Sequence, residues 1–132
     1  MAELRLVLVT PERTVFDRPA ASVRVPLFDG SAGIYPGRAP LVGRLGIGEL
    51  RLTSPSGESD SIFIDGGFVQ VKGSVISVLT YSATAIQDLS RKAAAQALSE
   101  ARAEKAASDE EYAGTARRLE RARRMLALAR RD

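Results

Sequence analysis

A glycine-rich stretch beside basic residues is the first candidate for chemistry in this sequence. Gly33 to Leu50 reads GIYPGRAPLVGRLGIGEL and holds five glycines, two prolines and two arginines. A phosphate-binding loop needs either GxxxxGK[ST] or a GxGxxG turn between a strand and a helix. Gly43 to Gly48 has the wrong order, no lysine after it, and a strand-like ELRL in place of a helix. We therefore interpret these glycines as turn and strand residues, not as a phosphate cradle.

Residue types on which most catalytic and metal centres depend are missing from this chain. The sequence has no histidine and no cysteine, which excludes Ser-His-Asp and Cys-His nucleophile systems and thiolate metal sites. Its carboxylates have structural explanations. Asp109 to Glu111 fall at a predicted helix start, and Asp60 and Asp65 flank the apolar stretch SIFI as turn residues do. We therefore predict no catalytic residue, no metal site and no cofactor.

A basic run near the C-terminus is the remaining candidate. From Thr115 to Asp132, seven arginines stand against Glu120 and Asp132, a net charge of +5. Such a run is usually a solvated helix face. The functional alternative is a basic amphipathic helix that binds an acidic protein. The run itself contains no aromatic residue, and Tyr112 just before it is the one ring for stacking in this predicted helix, so we expect neither nucleic-acid binding nor direct membrane insertion.

The composition divides the chain into two parts. All six prolines lie between Pro11 and Pro55, and ten of the eleven glycines lie at or before Gly73. Alanine, arginine and glutamate dominate the remainder. This shift predicts one domain over residues 1–84 and a second over residues 85–132.

The first part has the pattern of many short antiparallel strands. The strand-like segments are LRLVLVT, SVRVPLF, ELRLTS, SIFIDGG, FVQVKGS and VISVLTY. The turn signals are Asp29-Gly30, Tyr35-Pro36-Gly37, Ser56-Gly57, Asp65-Gly66-Gly67 and Lys72-Gly73. Strands at this spacing predict a sandwich or barrel. The predicted core residues of the glycine-rich stretch are Leu41, Leu45, Ile47 and Leu50.

The second part has the pattern of two helices joined by a short polar connector, which predicts an antiparallel hairpin. We expect Asp88 to cap the first helix and Ser108 to cap the second, with Glu111 completing a capping box. The predicted apolar stripe of the first helix is Leu89, Ala93, Ala97, Leu98 and Ala101. That of the second is Tyr112, Thr115, Leu119, Ala122, Leu126 and Ala129. Because alanine buries little area, the hairpin is predicted to be marginal alone and mobile.

The N-terminal segment does not have the pattern of a signal peptide. Glu3 and Arg5 interrupt it, and no segment approaches the roughly 20 apolar residues of a membrane span. The net charge of +3 is too small to predict nucleic-acid binding by itself. We expect a cytoplasmic interaction or regulatory subunit.

Taken in order, these segments resemble the epsilon subunit of the F-type ATP synthase, which is called delta in mitochondria. The pieces that carry the resemblance are TPERTVF, GIYPGRAPL, LGIGEL, GGFVQV and the two closing helices. It covers essentially the whole chain. The fold it implies is an N-terminal antiparallel β-sandwich of about ten strands followed by a C-terminal antiparallel two-helix hairpin.

The resemblance also implies a function and partners. Members of this family are non-catalytic rotor subunits of the central stalk, peripheral at the cytoplasmic face of the membrane. Their sandwich binds the gamma subunit and the c-ring, which couples ion translocation to ATP synthesis. In bacterial members the hairpin can extend along gamma, and its second helix then approaches the alpha and beta subunits and blocks ATP hydrolysis.

The same resemblance assigns candidate residues. The c-ring contact candidates are Asp29, Gly30, Ser31 and Arg38. The inhibitory-helix candidates are Arg117, Arg118, Arg121 and Arg124. ATP-binding members carry an [IL]-D-x-x-R-A motif at the start of the first helix, which aligns with Leu89, Ser90, Ala93 and Ala94. Since serine replaces the aspartate and alanine the arginine, we expect weak or absent ATP binding.

The residues themselves leave a second function open. A free-standing β-sandwich adaptor that binds an acidic protein partner through its basic C-terminal helix has the same composition and charge pattern.

Overall fold

The computed structural model describes residues 3–104 and 108–130, which divide between two compact units, Met1–Ala85 and Ile86–Asp132. The strands are β1 Leu4–Thr10, β2 Arg13–Ala20, β3 Ser22–Leu27, β4 Gly30–Ile34, β5 Leu41–Thr53, β6 Ser59–Lys72, β7 Val75–Leu79 and β8 Ala83–Ala85. The helices are a 3₁₀ turn Ile86–Asp88, α1 Arg91–Ala103 and α2 Asp109–Leu128.

The first unit is a β-sandwich built from one hydrogen-bonded path of strands. Their order is β2-β1-β7-β6-β5-β3-β4, with β8 added to β6. Neighbours on this path are antiparallel except β1 and β7, which are parallel. Alternate residues point inward to one apolar core, in which Leu6, Val25 and Leu50 are fully buried. The predicted fold class, a sandwich followed by a helical hairpin, is confirmed.

The described sandwich has eight strands because predicted neighbours join into longer ones. SIFIDGG and FVQVKGS form the single strand β6, so the turn predicted at Asp65-Gly66-Gly67 is wrong. This segment continues the strand, with a positive φ of 69° at Gly66 and 110° at Gly67. On either side of it, β6 pairs with β8 over Ile62–Ile64 and with β7 over Phe68–Lys72.

The glycine-rich stretch shapes the fold as predicted. Leu45, Ile47 and Leu50 are buried, and Leu41 packs half-buried against the core. In the turn after β4, the amide of Arg38 donates to the carbonyl of Tyr35 at 3.3 Å, and Gly37 has a φ of 84°. That conformation is one that glycine adopts without steric cost.

The second unit is an antiparallel helical hairpin whose start differs from the prediction. Asp88 belongs to the 3₁₀ turn, so its assignment as the cap of α1 is wrong. The cap is Ser90, whose Oγ accepts from the amide of Ala93 at 3.1 Å, as an N-cap side chain does. The cap of α2 is Ser108, whose Oγ accepts from the amide of Glu111 at 3.2 Å, as predicted.

The buried positions of the hairpin correct two members of the predicted stripes. In α1 the buried residues are Ala94, Leu98 and Ala101. Ala93 is exposed because adjacent helix positions differ by about 100° around the axis. In α2, Tyr112 is 70% exposed, whereas Ala122 is buried. A seam built largely from alanine remains.

Candidate functional site

The four c-ring candidates lie at the two ends of β4. Asp29 belongs to the turn between β3 and β4, and Gly30 and Ser31 are the first two residues of β4. Arg24 donates from Nη1 to Ser31 Oγ at 3.2 Å. Arg38 follows the turn at the other end of β4. All four candidates are exposed, and the structure places Arg38 beyond the opposite end of β4 from the other three.

An exposed row of side chains crosses the sheet, and sequence reasoning missed it. The register pairs Val9 of β1 with Leu79 of β7, Leu79 with Phe68 of β6, and Phe68 with Arg44 of β5. Directly paired residues share a face of the sheet. This face is the outer one, since the flanking residue Val69 is buried in the core. We call Val9, Leu79, Phe68 and Arg44 the outer row.

Large apolar groups of the outer row remain accessible. Phe68 is 58% and Leu79 56% exposed, and they line a groove together with Val9 and with Tyr81, which is 60% exposed. At the other end, the guanidinium carbon of Arg44 lies 4.5 Å from the centroid of the Phe28 ring. A contiguous exposed patch of this kind marks an interaction surface. A signal existed in GGFVQVK, where Phe68 occupies a position whose alternation predicts a polar residue.

The two positions of the nucleotide motif that this chain retains have a structural role. Leu89 and Ala94, the two retained positions, are 3% and 0% exposed. Ser90 provides the cap of α1 that an aspartate at this position would also provide. Ala93 is exposed and carries no charge for a phosphate. The two retained residues are therefore explained by packing, and the capping role survives the substitution at position 90.

The four arginines proposed for inhibition do not all have the same surroundings. Arg117, Arg121 and Arg124 are spaced i, i+4 and i+7, which aligns them along one side of α2. Arg121 donates from Nη1 to Met125 Sδ at 3.1 Å. Arg118 is turned toward the end of α1 instead.

At that end, two side chains of α2 converge on the carboxylate of Glu104. Arg118 donates from Nε to Oε1 at 2.9 Å and from Nη2 to Oε2 at 2.7 Å. Thr115 Oγ1 donates to Oε2 at 2.8 Å. These hydrogen bonds, that from Arg118 first, hold the pKa of Glu104 below its ordinary value, and the hydrogen bond with Glu104 raises the pKa of Arg118. We call these three residues the clasp.

Metal ligands and membrane-spanning helices were considered for residues 3–104 and 108–130. Within them, no cluster of three or more potential metal ligands forms a candidate metal site. None of the helices found there has the length and apolar character that crossing a membrane requires.

Comparison with known proteins connects this geometry to a family. The family model described as "ATP synthase, Delta/Epsilon chain, beta-sandwich domain" matches residues 3–86. The ATP synthase epsilon chain of Rhodopirellula baltica is 49% identical over 98 residues, which cover 74% of this chain and 76% of that relative. That of Symbiobacterium thermophilum is 42% identical over 105 residues, covering 77% and 75%.

Solved structures show the same fold. A chain in the Euglena gracilis mitochondrial ATP synthase, OSCP/F1/c-ring in rotational state 1, superposes with a TM-score of 0.86 and 25% identity. The match covers 96% of this chain and 81% of that chain. A chain of the Tetrahymena thermophila mitochondrial ATP synthase central stalk/c-ring has a TM-score of 0.72 at 13% identity, with 96% of each chain covered. The second likeness concerns the fold alone.

Proposed function

This chain belongs to the delta/epsilon chain family of ATP synthase, and on that premise we propose that it is a non-catalytic rotor subunit. It couples ion translocation to ATP synthesis by linking gamma to the c-ring. The relatives named as epsilon chains and the structural match within an F1/c-ring complex support this function. They favour it over the free-standing adaptor.

The observation that carries the proposal is the outer row. A subunit that turns with the rotor must be held firmly against another rotor subunit. Phe68 and Leu79 are more than half exposed, and fully burying a side chain of this size contributes about 1.5–3 kcal/mol. Arg44, stacked on Phe28, adds a cation at the edge of the row. We assign the outer row to the contact with gamma.

The two ends of β4 have a different character. Asp29, Gly30, Ser31 and Arg38 are exposed and mostly polar, and they lie in or beside the turns that flank this strand. Polar turns suit the polar loops of a c-ring, since neither surface must bury a large apolar side chain. We assign these four residues to the c-ring contact, with residues 1–84 as the domain that binds both partners.

The hairpin, residues 85–132, is the proposed regulatory domain. Its alanine seam buries little apolar area, so α2 can leave α1 and bind another surface at a small cost in free energy. Arg117, Arg121 and Arg124 line one side of α2, and Arg118 lies at its inner edge. In an inhibited state these cations bind acidic surfaces of the alpha and beta subunits.

The remaining proposals concern ligands and location. We assign no cofactor to the chain, because positions 90 and 93 carry neither the aspartate nor the arginine of the nucleotide motif. The subunit sits peripherally at the cytoplasmic face of the membrane as part of the complex, without inserting into the bilayer or binding nucleic acid.

A reconstitution of the complex with and without this chain tests the function. We expect the complex that lacks the chain to lose ATP synthesis driven by an ion gradient, because the rotor is uncoupled. Deleting residues 108–132 should keep synthesis and raise ATP hydrolysis. Undiminished synthesis without the chain would contradict coupling, and unchanged hydrolysis after the deletion would contradict inhibition.

A further inference from the structure

We propose that Glu104 is an intramolecular competitor for Arg118: it holds α2 against α1 and withholds this arginine from an acidic partner. The inference rests on the proposed inhibitory role of α2 and names the contact that opposes it. It assigns the clasp a regulatory role, with Glu104 standing in for the partner's carboxylate.

The geometry of the clasp is that of a strong, directional contact. Glu104 is the C-cap residue of α1, and its backbone amide donates to the carbonyl of Ala101 at 3.3 Å, which fixes its position at the helix end. Its two carboxylate oxygens accept from both Nε and Nη2 of Arg118. Bidentate arginine–carboxylate pairs are stronger and more specific than single hydrogen bonds.

The seam between the helices leaves closure dependent on such contacts. Ala94, Ala101 and Ala122 are buried helix residues, and each removes only a methyl group from water; Leu98 is the one larger side chain buried in the described part of α1. At the opposite end of the hairpin, Arg91 donates from Nη1 to the carbonyl of Ala129 at 3.4 Å, a longer contact to a neutral acceptor. The charged clasp is thus the stronger of the two polar contacts described here.

Competition follows from shared chemistry. Arg118 presents Nε and Nη2 to Glu104, the same edge that it would present to a carboxylate of a partner. A partner that binds α2 through this edge must first displace Glu104. Because a ligand shifts an equilibrium only by its differential affinity for the two states, weakening the clasp favours the partner-bound state.

Amide hydrogen exchange on the full chain tests whether Glu104 closes the hairpin. In Glu104→Gln we expect the exchange rates of α2 amides to rise about twofold to fivefold, the range of an exposed pair with good geometry. Glu100→Gln is the matched control, since it removes the same charge from α1, and the hydrogen bond described for Glu100 comes from Gln96 of the same helix. A similar change in both variants, or none in Glu104→Gln, would overturn the proposal.

ATP hydrolysis by the assembled complex tests the competition. Glu104→Gln should lower hydrolysis about twofold to fivefold, because Arg118 becomes available. Arg118→Gln should open the hairpin equally without lowering hydrolysis, because it removes the cation as well. Equal hydrolysis in wild type and Glu104→Gln would overturn the competition. If deleting residues 108–132 also changes nothing, the inhibitory function fails instead, while amide exchange still decides whether Glu104 closes the hairpin.

Discussion

At Gly67, the fold depends on the absence of a side chain. A Cβ built there would lie 1.8 Å from the carbonyl oxygen of Leu79, and φ is 110°. We expect Gly67→Ala to lower the free energy of unfolding by about 3 kcal/mol or more, since backbone strain and a steric clash add. Urea denaturation measures this loss.

Gly73→Ala is the control for that substitution. Gly73 also has a positive φ, 61°, but a Cβ there would meet nothing within 4 Å. Its loss should be about 1 kcal/mol, the cost of the left-handed conformation alone. Equal losses at both positions would show that the close approach to Leu79 is not what constrains β6.

From the hydrogen bonds of Glu104 we expect closure of the hairpin to depend on pH. The pKa of Glu104 is depressed below its ordinary value of 4.5, so its carboxylate stabilises the closed hairpin above that value. This stabilisation is lost as the pH falls through the depressed pKa. The difference in amide exchange between wild type and Glu104→Gln should therefore be constant near neutral pH and disappear in acid. A difference that persists in acid would contradict the role of the carboxylate.

Sequence reasoning succeeded for residues whose neighbours along the chain fix their role. The turn at Gly37 and the cap at Ser108 each depend on contacts three residues apart. It failed for Gly67 and Glu104, whose partners Leu79 and Arg118 are brought near by pairing of strands or helices. No local pattern marks such residues.

At the scale of elements, the start of α1 is a capped end, and its cap is testable. Ser90→Ala should lower the stability of the hairpin by about 1 kcal/mol, because the amide of Ala93 loses its acceptor. Thermal unfolding followed by circular dichroism measures this. Asp88→Ala is the control, since Asp88 lies in the 3₁₀ turn. A larger loss from Asp88→Ala would restore Asp88 as the cap.

β6 shows why strand boundaries escaped prediction. Asp65-Gly66-Gly67 has the composition of a turn. Yet pairing with β5 continues through it in one register, with Ile47 opposite Asp65 and Leu45 opposite Gly67. The pairing of a long neighbouring strand outweighs the local turn preference, and the same sequence remains part of the strand.

At the scale of the whole molecule, nucleotide binding provides one test. We expect isothermal titration of the full chain with Mg-ATP to show no binding in the micromolar range. Ser90 caps the helix, and Ala93 places a methyl group where ATP-binding members carry a cation. Micromolar affinity would contradict this and would direct attention to Arg91 and Lys92.

The fold class and the family were predictable from the order of turns, strands and helices along the chain. The outer row was not, because Val9, Phe68 and Leu79 meet only through the register of three strands. The arginines of α2 were identifiable as a basic run. That Arg118 belongs to the clasp, apart from the other three candidate arginines, could be seen only from the structure, which places Glu104 beside it.

The most direct test of the central claim is the affinity of the full chain for the gamma subunit of its complex. The variants are Phe68→Asp and, as control, Gln70→Asp, which introduces the same charge two residues along the exposed side of β6. We expect wild type and Gln70→Asp to bind alike, and Phe68→Asp to raise the Kd about tenfold or more, as at an interface hot spot. Equal Kd values for all three would contradict the assignment of the outer row to gamma, and absent binding by wild type would contradict the rotor function.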